Sequence, residues 1–251
     1  ENGRQVRLSD LLCQIHDTPG IERIKFVTNY PKDMDDALLD CVHDMPKVSP
    51  YLHVPAQSGS DHVLRRMKRG YTVGEYREML ARIRERVPES SVSSDFIVGF
   101  CGETEDEFDK TCNLVKEARF KNSFIFKYSE RAETKAHQRM LDDVPEAIKR
   151  RRNNELLALQ TQISLEDNRV FTGEKVDVLV EGPSKKASKQ GEENHPYLQL
   201  TGRTACDRIV VFRGNRRLIG EIIPVRIDAT SAVTLFGTVV TYEPHTTTLS
   251  I

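Results

Sequence analysis

The stretch SVSSDFIVGFCGETEDEF, residues 91–108, decides the fold. Its first half alternates, with Val92, Ser94, Phe96 and Val98 on one side and Ser91, Ser93, Asp95 and Ile97 on the other. That period of two predicts a strand. Gly99 and Gly102 then turn the chain, and Thr104 opens a helix: the acids that follow complement the helix dipole, and Glu107 stands at capping-box spacing.

The same rhythm continues on both sides. Strand patterns begin near residues 21 (IERIKFVTNY), 50 (PYLHVPAQSG) and 122 (NSFIFKYSER), with helical patterns such as DMDDALLDCVHDM, VGEYREMLARIRERV and TEDEFDKTCNLVKEARF between them. Units of about thirty residues predict an α/β fold with parallel strands. Gly70 is expected to close the helix of DHVLRRMKRG in the left-handed conformation. From Pro145 to about Phe171 a single charged helix is expected as a connector. Beyond Gly173 come EKVDVLVEG, YLQLTGRT, DRIVVFRG, LIGEIIPVRIDAT and VTLFGTVV, short strands that predict a small antiparallel β-barrel. GPSKKASKQGEENHPY between the first two reads as a mobile loop. The expected organisation is residues 1–171, then 172–241, then a tail at 242–251.

With 251 residues, 38% apolar and a net charge of −1, the chain has material for one or two packed domains and is not disordered throughout. No apolar run approaches the 18 residues of a membrane helix, and ENGRQVRLSD at the start has no signal-peptide core. A cytoplasmic protein with no membrane partner is expected. Cys13, Cys41, Cys101, Cys112 and Cys206 are scattered, with none at iron–sulfur or zinc spacing, so no metal ligand is assigned.

Asp95 is the first candidate for chemistry, because an acid in an apolar strand is costly unless it has a partner or a ligand, and ligands of parallel sheets bind at the strands' carboxyl ends. Its bland alternative is a buried lysine or arginine partner. Gln57 and Ser58 end the preceding strand in the same way, while His53 reads as a satisfied core histidine. In residues 183–217, eight basic residues face three acids. A polyanion, nucleic acid above all, fits that balance by counterion release, and a solvated face is the alternative.

The ordered strings HVPAQSGSDHVLRRMKRGYT, SSDFIVGFCGETEDEF, DDVPEAIKRRR, VDVLVEGPSKK and LTGRTACDRIVVF resemble the MiaB-type radical S-adenosylmethionine (SAM) tRNA methylthiotransferases. The resemblance implies part of a (β/α) radical-SAM-type barrel followed by a TRAM-like barrel. It implies tRNA as partner, methylthiolation of isopentenyladenosine as reaction, and SAM and 4Fe-4S clusters as cofactors of the whole enzyme. It places Gln57, Ser58, Ser94, Asp95 and Gly99 around the cofactor, and Lys185, Lys186, Arg203 and Arg208 on the RNA. The CxxxCxxC loop of such enzymes is absent, Cys101 stands where many relatives carry proline, and ERAETKA replaces the more usual PRPGT. The chain is therefore expected to be a fragment without the cluster ligands. An RNA-binding module without catalysis, or a sibling enzyme acting on a ribosomal protein, are the alternatives.

Overall fold

In the computed structural model, residues 6–27, 30–192 and 195–240 are described; the tail expected at 242–251 lies outside them. The chain divides into two compact units, residues 1–167 and 168–251.

In the first unit, α1 (Leu8–Ile15) and α2 (Asp36–Asp44) precede β1 (Tyr51–His53), α3 (Asp61–Arg66), α4 (Val73–Arg86), β2 (Ser91–Val98), α5 (Glu105–Ala118), β3 (Asn122–Lys127), α6 (Lys135–Arg139) and α7 (Glu146–Arg169), whose last residues enter the second unit. The strands form one parallel sheet in the order β1-β2-β3. The strand expected near residue 21 is reduced to an isolated parallel bridge between Ile24 and Val48; Thr28 and Asn29 of that stretch lie outside the described residues.

Local sequence explains the helices. Thr104 and Glu107 form the capping box at the start of α5, Thr104 Oγ1 accepting from the Glu107 N–H at 3.3 Å and Glu107 Oε2 accepting from the Thr104 N–H at 2.9 Å. Phe108, Thr111, Leu114, Val115 and Ala118 then recur at helical spacing and are buried. Thr72 and Glu75 repeat the device at α4, which buries Tyr76, Met79, Leu80 and Ile83. After α3 it is Lys68, at φ 60°, that takes the left-handed conformation expected of Gly70. Gly70 is small for another reason: a Cβ there would stand 2.4 Å from the Tyr30 hydroxyl oxygen.

The helix expected as a connector also packs along β3 through a polar seam. Gln160 donates to the Phe120 carbonyl (2.7 Å), Ser164 to the Lys121 carbonyl (2.8 Å) and Asn153 to the Ile125 carbonyl (3.0 Å). Strand-edge acceptors that would otherwise need water are thereby satisfied.

In the second unit β4 (Lys175–Pro183), β5 (Tyr197–Thr204), β6 (Ile209–Asn215), β7 (Ile222–Thr230) and β8 (Thr234–Val239) close into a barrel in the order β4-β5-β6-β8-β7. Four ladders are antiparallel as expected, and the β6·β8 ladder is parallel. The β7–β8 hairpin inserts β8 beside β6, so closure by the fifth strand forces that direction; this order is that of an OB-fold. Val178, Val180, Leu198, Leu200, Val210, Phe212, Val225, Ile227 and Leu235 fill the interior. The stretch read as a mobile loop contains a one-turn helix, α8 (Lys185–Lys189), because Ser184 accepts from the Ala187 N–H and Ala187 is buried against the barrel. Among the described residues no helix is long and apolar enough to cross a membrane.

Candidate functional site

Alternation puts Leu52, Val54, Phe96 and Val98 against the helices, where they join the main core. The opposite face of the sheet carries Tyr51 and His53 from β1, Ser93, Asp95 and Ile97 from β2, and Phe124 and Phe126 from β3, with Asp95 beside Phe124 and Ile97 beside Phe126 in register. At the carboxyl ends of the strands this face borders a cavity of about 720 Å³ lined by Gln57, Asp95, Ile97, Phe100, Phe126 and Tyr128, with Arg66, Lys68, Arg69 and Arg131 among its cations. Its volume and its apolar wall of Ile97, Phe100 and Phe126, beside a strongly cationic rim, fit an organic ligand that carries an anionic group. A nucleobase suits the exposed aromatic rings, and an anion suits the rim.

Gln57 is fixed by its backbone. Its N–H donates to the Asp95 carbonyl (2.8 Å) and its carbonyl accepts from the Ile97 N–H (3.0 Å), extending the sheet past β1 with φ at 67°. A non-glycine residue held there carries strain, of the kind that clusters at ligand sites. Asp95 has a histidine partner and not the lysine or arginine of the alternative reading: His53 Nε2 lies 3.3 Å from Asp95 Oδ1. His53 Nδ1 is 2.7 Å from Ser93 Oγ, which is 2.7 Å from the Tyr51 hydroxyl.

Ser58, Ser94 and Gly99 do not line the cavity. Ser94 is fully buried on the helix side, accepting from the Ala56 N–H at 2.9 Å beneath Tyr76, whose phenol burial pushes upward. Ser58 turns toward α5, its Oγ 3.4 Å from Thr111 Oγ1. Gly99, at φ 70°, is approached by the Lys149 side chain: a Cβ at Gly99 would stand 2.4 Å from Lys149 Cγ. Phe124 and Phe126 escaped the sequence reading, although alternation in NSFIFK places both on one face; the missing signal was the register that sets that face beside Asp95.

On the barrel, Lys185 and Lys186 are exposed on α8. Arg203 instead pairs with Glu181 (3.2 Å) and Asp207 (3.0 Å). Arg208 bonds Asn168 Oδ1 at 2.5 Å and stacks over Phe171 at 4.6 Å. Both arginines therefore have intramolecular work, which separates them from the two lysines.

Cys13 and Cys41 approach to 3.9 Å, and burial and the neighbouring thiol push the Cys41 pKa up to about 11. Among the described residues no three His, Cys, Asp or Glu side chains gather as metal ligands. The donor set here does not fit a 4Fe-4S cluster.

Residues 4–115 match the radical SAM superfamily, and residues 169–240 match the TRAM domain. The first part of the chain thus carries a radical SAM match and its last part a TRAM domain. Its sequence is 60% identical to tRNA-2-methylthio-N(6)-dimethylallyladenosine synthase of Rhodopirellula baltica over 94% of this chain and 49% of that protein. It is 41% identical to the enzyme of the same name from Porphyromonas gingivalis over 96% of this chain and 50% of that one. The chain spans about half the length of the curated relatives it matches. Among solved structures, coproporphyrinogen III oxidase of Escherichia coli, a radical SAM enzyme, aligns with a TM-score of 0.48 at 20% identity, over 57% of this chain and 33% of that chain.

Proposed function

We propose that the chain is the nucleoside-holding and RNA-binding part of a tRNA methylthiotransferase that acts on dimethylallyladenosine in the cytoplasm. The observation that carries the reading is Asp95, an acid on the inner face of a parallel sheet, at the edge of a cavity with exposed aromatic walls. Its carboxylate is an acceptor for the ribose diol of SAM, Gln57 a partner for polar edges of the ligand, and Phe126 a wall that excludes water from it. When bound, SAM supplies the radical and methyl chemistry of the superfamily. The chain spans about half the length of its curated relatives, and the cluster ligands are assigned to the half it does not cover. Residues 172–241, the small barrel, take the tRNA, with Lys185 and Lys186 on its phosphates.

Calorimetric titration of the chain with S-adenosylhomocysteine tests the first half of this reading. Binding that Asp95→Asn weakens at least tenfold supports it, and absence of binding to the wild-type chain refutes it. Gel-shift titration with an anticodon stem-loop tests the second half: an RNA that neither the chain nor its barrel retains removes the tRNA.

A further inference from the structure

His53 is almost fully buried, with 9% of its side chain exposed, yet it borders the carboxylate proposed to meet the ligand. Phe124 packs against the ring edge-to-face, with centroids 6.1 Å apart, so the imidazole reaches the cavity only through its neighbours. Both ring nitrogens are engaged. Nδ1 faces a hydroxyl that can donate or accept, whereas Nε2 faces a carboxylate, which in its ionised form only accepts. For a neutral ring the arrangement is self-consistent in one direction: the Tyr51 hydroxyl donates to Ser93 Oγ, Ser93 donates to Nδ1, and the ring proton sits on Nε2, aimed at Asp95 Oδ1. Among the described residues no other side chain hydrogen-bonds or ion-pairs with that carboxylate.

We propose that His53 is a positioning residue, which holds one oxygen of Asp95 through Nε2–H so that the other is presented to a ribose diol in the cavity, with Ser93 and Tyr51 fixing the ring proton. The proposal rests on the reading of the cavity as a nucleoside site. A carboxylate anchored on one oxygen loses less rotational freedom on binding and directs its remaining lone pairs at a fixed place. A buried imidazole suits this role better than a lysine would, since it supplies a single planar donor and is itself anchored from behind.

The test uses the whole 251-residue chain, labelled with 15N, titrated with adenosine and with 2′,3′-dideoxyadenosine while amide shifts are followed. Wild type should prefer adenosine about tenfold, the worth of a hydrogen bond to a charged acceptor. His53→Ala should bring that preference close to one, and His53→Gln, which keeps an N–H donor at similar reach, should recover most of it. A long-range 1H–15N spectrum of the unsubstituted chain should show the His53 ring carrying its proton on Nε2. Undiminished preference in a folded His53→Ala chain overturns the positioning role and leaves the nucleoside site standing. A ring protonated on Nδ1 alone overturns it without any variant. A wild-type chain that binds both equally overturns this inference while leaving a nucleoside site, and one that binds neither removes the nucleoside reading and this inference together.

Discussion

Arg152 and Glu103 form a buried ion pair, with Nη1 2.9 Å from Oε2 and 5% and 0% of the two side chains exposed. The same Glu103 oxygen accepts from the Gly99 N–H at 2.5 Å, so α7, the turn after β2 and the start of α5 are tied at one carboxylate. Burial pushes the Glu103 carboxyl upward, and the Gly99 bond and Arg152 only partly offset that.

Removing one member leaves the other charge stranded. Arg152→Met should cost about 3–5 kcal/mol, whereas Arg152→Met with Glu103→Gln should recover much of the loss. Urea unfolding of the two variants checks this; a single substitution that costs under about 1 kcal/mol would show the pair to be dispensable.

Glu107 behaves in the opposite sense. Burial works against its charge, but the Thr104 N–H, His62 and Ser60 outweigh that and hold its carboxyl below the ordinary 4.5. A depressed folded-state value means that the stabilisation is fully present above about 4.5 and disappears as pH falls through the folded-state value. The melting temperature of Glu107→Gln should therefore lie below that of wild type at neutral pH, and the gap should close on acidification. A gap that stays constant with pH would mean that the lost side-chain contacts, not the charge, account for it.

Asp95→Asn keeps the shape of the side chain and removes its charge. Its far-ultraviolet circular dichroism should match wild type while nucleoside binding falls. A variant that melts several degrees lower yet binds normally would make Asp95 only a partner for His53.

Lys185→Ala with Lys186→Ala should flatten the dependence of log affinity for tRNA on log salt by about 1.4–1.8, taking 0.7–0.9 per phosphate contact, without changing the fold. Arg208→Ala should act differently. Loss of its stacking on Phe171 is worth about 0.5–2 kcal/mol of stability, with little change in that slope. Equal salt slopes for wild type and the double lysine variant would make the lysines a solvated face.

What the sequence revealed was what neighbours dictate. The capping box of Thr104 and Glu107 spans three positions, and β2 announces itself by alternation. IERIKF has a strand-like pattern too, but pairing is decided by a partner, and only Ile24 finds one, at Val48. Ser94 was correctly grouped with Val92 and Phe96; alternation could not say that α4 covers that face and Tyr76 reaches its hydroxyl. The bonds that engage Arg208 come from Asn168 and Phe171, some forty residues earlier, a distance at which charge counting is blind.

Gly99 meets two independent demands: its φ of 70° favours a residue without Cβ, and the Lys149 stem occupies the volume a Cβ would need. Relief of one does not relieve the other. In a saturation library position 99 should strongly favour glycine, and shortening Lys149 should rescue alanine there only in part, since the backbone penalty persists.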